Sequence, residues 1–464
     1  MNKPPTERLG AQGKISLLQA VAANVLNMVG IGPFLTIPLI LSAMGGPQAM
    51  LGWGLGAVIA LADGLVWAEL GAAMPGSGGS YQYLREAFGP RGAGQLMSFL
   101  FLFQSVVATP LLTASGAVGF AAYAKFIYPT LTPWQTIALA ILVCFLATFL
   151  LYRNITSIGR ASMVMFLILL ATMAWIIFAG ATHFQPRLAF SFPPGAFELS
   201  KPFFTGLGLA VLLAMYAYQG YFTVCLIGDE VTQPSRNIPR SILISIVLLA
   251  FCYVAMSYSV IGVVPWEKAM LSKAVVSDFI GQLYGPAAAQ LSAVLVMIAA
   301  FGSVVTVLLG YTRVPYAAAV EGHFFSVFGR VHPKGFPSFS VLFMGVASAF
   351  ACLLSLESLI SALLIIQIVT QFAAQCVAVV LIRIKRPDIK RPFQMYLYPL
   401  PAAIALAGWV FIFYESEVRF IVAGLSTVLV ATLAYLIRAR GRREWPFTGP
   451  PAKAAADLVG DREH

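Results

Sequence analysis

Two short clusters carry residue types able to hold a small charged molecule inside an apolar chain. The first is Asn27-Met28-Val29-Gly30-Ile31-Gly32-Pro33-Phe34, which interrupts the apolar stretch 15–44. Glycine leaves helical geometry at low steric cost. Pro33 is suited to open a new helix, because its missing N–H would have no intrahelical partner there. A half-helix from Pro33 to Met44 would turn its positive end toward the break. The amides of Ile31 and Gly32 could then hold a carboxylate, beside Gly30 and Met28. Taken alone, the glycines fit a close helix contact equally well. The second cluster, Ala217-Tyr218-Gln219-Gly220-Tyr221, interrupts the stretch 203–228. Unwinding there would expose the carbonyls of Tyr216 and Ala217 to an ammonium, and Gln219 adds a polar side chain at depth. Tyr216 and Tyr221 would wall the cavity or pack with satisfied hydroxyls.

Ionisable residues inside apolar stretches are scarce, and such residues are functional candidates by default. Asp63 is the most conspicuous, lying well inside the stretch 48–73. Burial disfavours its charge, so it is a candidate proton carrier, with a packing hydrogen bond as the alternative. Glu69, Asp229 and Glu230 sit near the ends of their stretches and would pair with Arg or Lys as gate contacts. Ser303 and Thr306 could supply hydroxyls to a sodium ion, although such residues are common at helix interfaces. The five cysteines lie singly in apolar stretches and the four histidines in loops or at stretch ends. Neither a disulfide framework, nor a metal site, nor a cofactor is expected. An enzyme would need catalytic side chains clustered at one depth, and the sequence shows no such cluster.

The elements that must position these residues are membrane helices. Of the 464 residues, 59% are hydrophobic and only 10% charged, against about 25% charged in soluble domains. A spanning helix needs about 20 apolar residues. Twelve stretches qualify: 15–44, 48–73, 93–124, 134–152, 161–182, 203–228, 240–264, 287–319, 338–356, 358–382, 396–414 and 419–438. The first 14 residues are polar and basic, and no cleavable signal is expected. The division is a segment 1–14, a membrane domain 15–438 and a polar tail 439–464. With both termini on one side, 23 of the 29 Lys and Arg residues fall on that side. The positive-inside rule makes it cytoplasmic, in an inner-membrane protein. The net charge of +11 is therefore a topology signal and does not point to nucleic acid. The run Arg383–Arg391 is expected beside anionic lipid heads.

The two breaks fall in the first and sixth stretches, which start on opposite sides. That is the pattern of an inverted repeat with a substrate site at the repeat interface. The expected fold is an all-α polytopic membrane protein. It has twelve transmembrane helices in a LeuT-like five-plus-five inverted repeat, with spans one and six broken.

Several segments now resemble the amino acid–polyamine–organocation superfamily, and within it the L-type amino acid transporters and their bacterial relatives. Ala217–Tyr221 followed by Gly228-Asp229-Glu230-Val231-Thr232-Gln233-Pro234-Ser235-Arg236-Asn237-Ile238-Pro239 is similar to its sixth-span signature. Trp67-Ala68-Glu69-Leu70-Gly71 with Pro75–Tyr81 and Glu86–Gly89 resembles its second span and following loop. Gly302-Ser303, Arg313, Glu321-Gly322-His323 and Arg391-Pro392-Phe393 match later segments in order. The resemblance implies alternating access. It places a substrate carboxylate on the Ile31 and Gly32 amides and an amine on carbonyls around Met28 and Tyr216, with Tyr216 at an aromatic gate. The chain departs from the pattern at Ile31, where serine is usual, and at Pro33, which removes a donor. It also departs at Phe222, where exchangers of dications carry glutamate.

The expected activity is therefore secondary transport of a neutral amino acid. A pocket containing Ile31, Phe222 and Val307 would disfavour extra charge. Span five contains no lysine of the kind proton-coupled relatives carry, so proton symport, exchange and sodium coupling stay open. The rivals are a polyamine or organic cation as substrate, and a nutrient sensor that binds without transporting.

Overall fold

The computed structural model describes residues 15–447, apart from Ser77, residues 154–157 and residues 333–335. The expected segment 1–14 and most of the tail 439–464 lie outside the described residues. Among those described there is no strand, only an isolated parallel bridge between Ile15 and Val231. The helices are, in order, α1 (Leu17–Val29), α2 (Gly32–Met44), α3 (Met50–Ala73), α4 (Ser80–Phe88) and α5 (Ala93–Ile127). Next come α6 (Pro133–Arg153), α7 (Ile158–Thr182), α8 (Pro186–Ala189), α9 (Lys201–Tyr218) and α10 (Thr223–Leu226). They are followed by α11 (Pro234–Ile261), α12 (Trp266–Ala269), α13 (Val275–Tyr284), α14 (Pro286–Tyr311) and α15 (Arg313–Val320). The last are α16 (Ser338–Ala351), α17 (Leu356–Gln367), α18 (Ala373–Lys385), α19 (Leu400–Tyr414) and α20 (Val418–Arg442).

Nine of the described helices are long and apolar enough to cross a membrane, and ten spans result when the bent pair α1 and α2 counts as one. Two shorter apolar helices, α16 and α19, fall on the ninth and eleventh stretches of the sequence reading. The protein is an all-α polytopic membrane protein. In α5 67% of the most apolar window is buried, against 22% in α20, so α5 is central and α20 peripheral.

Local sequence sets the helix ends. Ser16 caps α1 and forms a reciprocal capping box with Gln19. Ser200 caps α9 through the Phe203 amide, with Pro202 in its first turn. Small residues let the interior helices approach. A Cβ on Gly52 would lie 2.8 Å from Ala210, and one on Gly56 3.1 Å from Ala214, so α3 lies directly on α9. At Gly180 the gap to Ser259 on α11 is smaller still. Without a hydrophobic drive between helices in lipid, this close packing is a main source of cohesion.

The end of the bundle nearest the N-terminus is laced by ion pairs. Glu69, 1% exposed at its side chain, accepts from Arg383 at 2.7 and 2.6 Å and from the Met395 amide at 2.8 Å. Arg386 pairs with Glu86 and Asp388, and Arg313 with Glu230 at 2.5 Å. Part of the basic run expected at lipid heads is thus committed to protein carboxylates. Outside the spans, the hydrogen bond with His323 holds the Glu321 carboxyl below its ordinary value against burial, with Tyr81 and Arg85 adding to it. That contribution to stability is present above the ordinary carboxylate range and is lost as pH falls through the lowered value.

One expectation needs correction. The cysteines are not all isolated: Cys144 Sγ on α6 lies 3.6 Å from Cys352 Sγ after α16, as free thiols. The second half of the sixth stretch is short. It is the single turn α10 followed by a 3-10 turn at Gly228–Glu230.

The contact at Gly180 yields a prediction. A Cβ there would lie 2.1 Å from Ser259 Cβ and 2.6 Å from its Cα, whereas one on Gly54 meets nothing within 4 Å. Gly180→Val should cost about 1–3 kcal/mol through overpacking. Gly54→Val should be neutral. Thermal unfolding of both variants in detergent checks this, and equal midpoints would refute it.

Candidate functional site

Both breaks are irregular at the residues the sequence singled out. α1 ends at Val29 and α2 begins at Gly32, with a 41° bend between them and φ +44° at Gly30. Pro33 stands in the first turn of α2. The amides of Ile31 and Gly32 therefore have no earlier turn of α2 to donate to. α9 ends at Tyr218 and α10 begins at Thr223, leaving Gln219–Phe222 irregular, with φ +118° at Gly220.

The breaks meet. A Cβ on Gly220 would lie 2.8 Å from the Met28 amide, and one on Gly32 3.1 Å from Ala217 Cα. The backbones touch; glycine is required at Gly220, where φ is also positive, and at Gly32 a side chain fits only if Ala217 gives way. Main-chain groups freed by the breaks, and by Pro38 inside α2, find side-chain partners. Tyr253 on α11 donates to Ala217 O at 2.9 Å, and Tyr123 on α5 to Phe34 O at 3.0 Å. Val224 N donates to Asn24 Oδ1 at 3.0 Å, and Thr223 Oγ1 to Gly220 O at 2.7 Å.

A small cavity lies between the breaks. Met28, Gly30, Ile31, Gly32, Tyr216 and Gln219, expected at a substrate site, line it together with Ser303, expected as a hydroxyl for sodium. Asn27, Val29, Leu112 and Gly116 complete it. Its volume is about 10 Å³, room for one water and not for a larger molecule. Tyr216 Oη is hydrogen-bonded to Ser115 Oγ at 2.7 Å, closing one wall. Gln219 Nε2 donates to Gln367 Oε1 on α17, and Gln219 Oε1 is buried without a partner. Asn27 Oδ1 is likewise buried and unpartnered. A cavity with a helix N-terminus at one wall and unpaired amide oxygens at others offers donors to an anion and acceptors to an ammonium.

A second, larger cleft of about 330 Å³ opens at the end of the bundle that carries Ile15. Glu230, Arg313, Gln19, Thr223 and Thr306 line it with apolar neighbours. Thr306 therefore faces this cleft, and its hydroxyl donates to Gly302 O at 2.8 Å. Ser303 faces the small cavity instead, so the two hydroxyls do not converge.

The remaining predicted residues fall elsewhere. Ala217 and Gly220 make the backbone contacts and do not line the cavity. Phe222 is not in the pocket, as the sequence reading placed it. It stacks on Trp67 at 4.4 Å and meets Phe372 edge-on at 5.9 Å. Val307 is also outside the cavity lining. Asp63 is fully buried and away from the cavity. Its carboxylate accepts from Tyr221 Oη at 2.6 Å and Trp409 Nε1 at 3.1 Å, with Cys376 Sγ at 3.7 Å. Asn27 and Val29 stood in the first cluster but were given no role, and Leu112 and Gly116 had not been singled out. Asn27 carried a signal, as a polar residue one turn before the break, whereas Leu112 and Gly116 on α5 carried none.

Comparison with known proteins gives the family. The chain is 29% identical to the rat large neutral amino acids transporter small subunit 2, over 86% of this chain and 75% of that one. It is 26% identical to the human Asc-type amino acid transporter 1, over 92% of this chain and 82% of that one. It is also 26% identical to the cystine/glutamate transporter of Pongo abelii, over 86% and 79%. Residues 15–436 match the amino acid permease family. The chain belongs to the amino acid permease family and is a multi-pass amino acid transporter, not an enzyme.

Proposed function

We propose that this transporter moves neutral amino acids by alternating access and works as an exchanger. The cavity between the breaks supports the amino acid reading most directly. The N-terminus of α2 can take a carboxylate there, and the Asn27 and Gln219 oxygens can take an ammonium. Among the described residues no carboxylate or basic side chain lines the cavity, which favours a substrate without extra charge over a polyamine. The arrangement is a twelve-span LeuT-like inverted repeat in the cytoplasmic membrane, with both termini and the 330 Å³ cleft on the cytoplasmic side. The distribution of Lys and Arg supports that orientation.

Exchange is favoured over ion coupling on two observations. Ser303 and Thr306 face different cavities, so they make a poor pair for one sodium ion. Asp63 is held by donors on three other segments, so it serves better as an anchor for Tyr221 than as a proton carrier.

Three outcomes follow. In proteoliposomes, uptake of labelled neutral amino acids should require unlabelled amino acid inside and should resist competition by putrescine. Uptake driven by a proton or sodium gradient into empty vesicles would refute exchange, and inhibition by putrescine alone would refute the substrate class. Gly32→Val should weaken substrate affinity by at least about tenfold while the protein still inserts, because its side chain meets Ala217. Unchanged affinity, read by substrate-induced thermal stabilisation, would remove the first break from the site. Asp63→Asn should lower the unfolding midpoint and leave the pH response of uptake as in the unmodified protein. Loss of that response would make Asp63 a proton carrier after all.

A further inference from the structure

Asn27 and Thr223 stand between the two cavities. Leu26 lines the 330 Å³ cleft, whereas its neighbour Asn27 lines the substrate cavity. Thr223 lines the cleft and is absent from the cavity lining. The two side chains are joined by a buried hydrogen bond of 2.5 Å from Asn27 Nδ2 to Thr223 Oγ1. The roles at Thr223 are fixed by its second bond. Its hydroxyl proton goes to Gly220 O at 2.7 Å, so its lone pair receives Asn27. One turn earlier on α1, Asn24 binds the main-chain amide of Val224 at 3.0 Å, a bond independent of the side chain at 223. α1 therefore holds the first turn of α10 twice, and only the Asn27 bond borders the substrate cavity.

The Asn27 carboxamide has two ends with different fates. Its nitrogen is engaged by Thr223, while its oxygen is buried without a hydrogen bond, as is the Tyr311 hydroxyl beside the carboxamide. An unpaired buried acceptor is costly, and a donor arriving in the cavity would relieve that cost.

We propose that the Asn27–Thr223 bond is a latch closing the partition between substrate cavity and cleft. We propose further that Asn27 links the latch to occupancy, by turning its oxygen to a donor of the bound substrate. The second part rests on the reading that the cavity takes an amino acid; the first part does not. With the cavity empty, the bond keeps α1 and α10 together and disfavours the conformational change without cargo. A bound ammonium competes for the carboxamide and frees α10. Thr223 is a positioning residue here, since it acts through Asn27.

The latch is tested without substrate by placing a cysteine in the cavity, Ser303→Cys, and timing its alkylation by a small maleimide. The native cysteines are buried, and the protein without Ser303→Cys gives the background. Adding Thr223→Val should speed alkylation between about twofold and tenfold, the range set by the one buried neutral hydrogen bond that joins α1 to α10; the hydroxyl's other bond, to Gly220 O, stays within the second break, where the Thr223 amide also serves that carbonyl. Adding Thr223→Ser, which keeps the hydroxyl, should leave the rate as it was. An unchanged rate with Thr223→Val, or an equal rise with Thr223→Ser, overturns the latch. If Thr223→Val does not accumulate, Thr223→Ala serves the same comparison.

The link to substrate is tested by affinity and by flux. Thr223→Val alone should leave amino acid affinity within about twofold and raise net efflux relative to exchange by the same two- to tenfold. Asn27→Ala should speed alkylation likewise and also weaken amino acid affinity. Wild-type affinity in Asn27→Ala overturns the link. Failure of the unmodified protein to bind any amino acid would defeat the proposed function and the link, leaving the alkylation result to decide the latch.

Discussion

A main chain that leaves helical geometry inside a membrane must have its freed N–H and C=O groups paired, because hydrocarbon offers nothing in place of water. The rest of this structure depends on that constraint. α1 and α9 both end within the bundle, α2 carries Pro38, whose missing N–H leaves Phe34 O free, and four side chains serve the groups so released. Tyr253 takes Ala217 O, Tyr123 takes Phe34 O, Asn24 takes Val224 N and Thr223 takes Gly220 O. Tyr123 and Tyr253 come from α5 and α11, which flank the breaks. The amides of Ile31 and Gly32 and the oxygens of Asn27 and Gln219 are treated differently, and these residues line the cavity. The same accounting that stabilises the breaks marks the place where a ligand would complete them.

The buried charges obey a related rule. Asp63 and Glu69 lie on the same helix, six residues apart, and both are essentially inaccessible. Glu69 is near the helix end and meets a full positive charge in Arg383, with Tyr398 stacked on the guanidinium at 3.8 Å. Asp63 is deeper, and its nearest partners are a phenol, an indole and a thiol. Those donors bring three elements to α3. Tyr221 belongs to the second break, Cys376 to α18, and Trp409 to α19. Phe372 then stacks on Trp409 at 4.3 Å and touches Phe222, closing an aromatic layer behind the break. One carboxylate thus fixes the position of the irregular segment from the side opposite the cavity.

Much of this was legible in the sequence, for identifiable reasons. Breaks in apolar helices need Gly and Pro, so Gly30, Gly32, Pro33 and Gly220 announced themselves. The depth of Asp63 was readable from its apolar flanks, but its partners lie 158 to 346 residues away and could not be read. Phe222 was misplaced because side-chain direction in an irregular segment follows no period: its neighbour Thr223 faces the cleft, while Phe222 faces Trp67. The contact of Cys144 with Cys352 spans 208 residues and joins two helices whose packing no motif records.

The two cavities differ in size by more than an order of magnitude, and this bears on how transport would proceed. The substrate cavity is collapsed to the space of one water, while the cleft beside it is open. On the far side α2 packs closely on α9, with Gly206 only 2.6 Å from Ala43 O at its built Cβ, and Tyr216 bonded to Ser115. The conformation is therefore closed on one side by helix packing and on the other by a thin polar partition. Opening the packed side must separate two helices along their contact, which costs many small dispersion contacts together. Opening the partition need only break a few hydrogen bonds around α10. A carrier built this way opens more readily toward the cleft than toward the packed side, and an empty one, its partition held by the Asn27–Thr223 bond, opens less readily than a loaded one, as exchange requires.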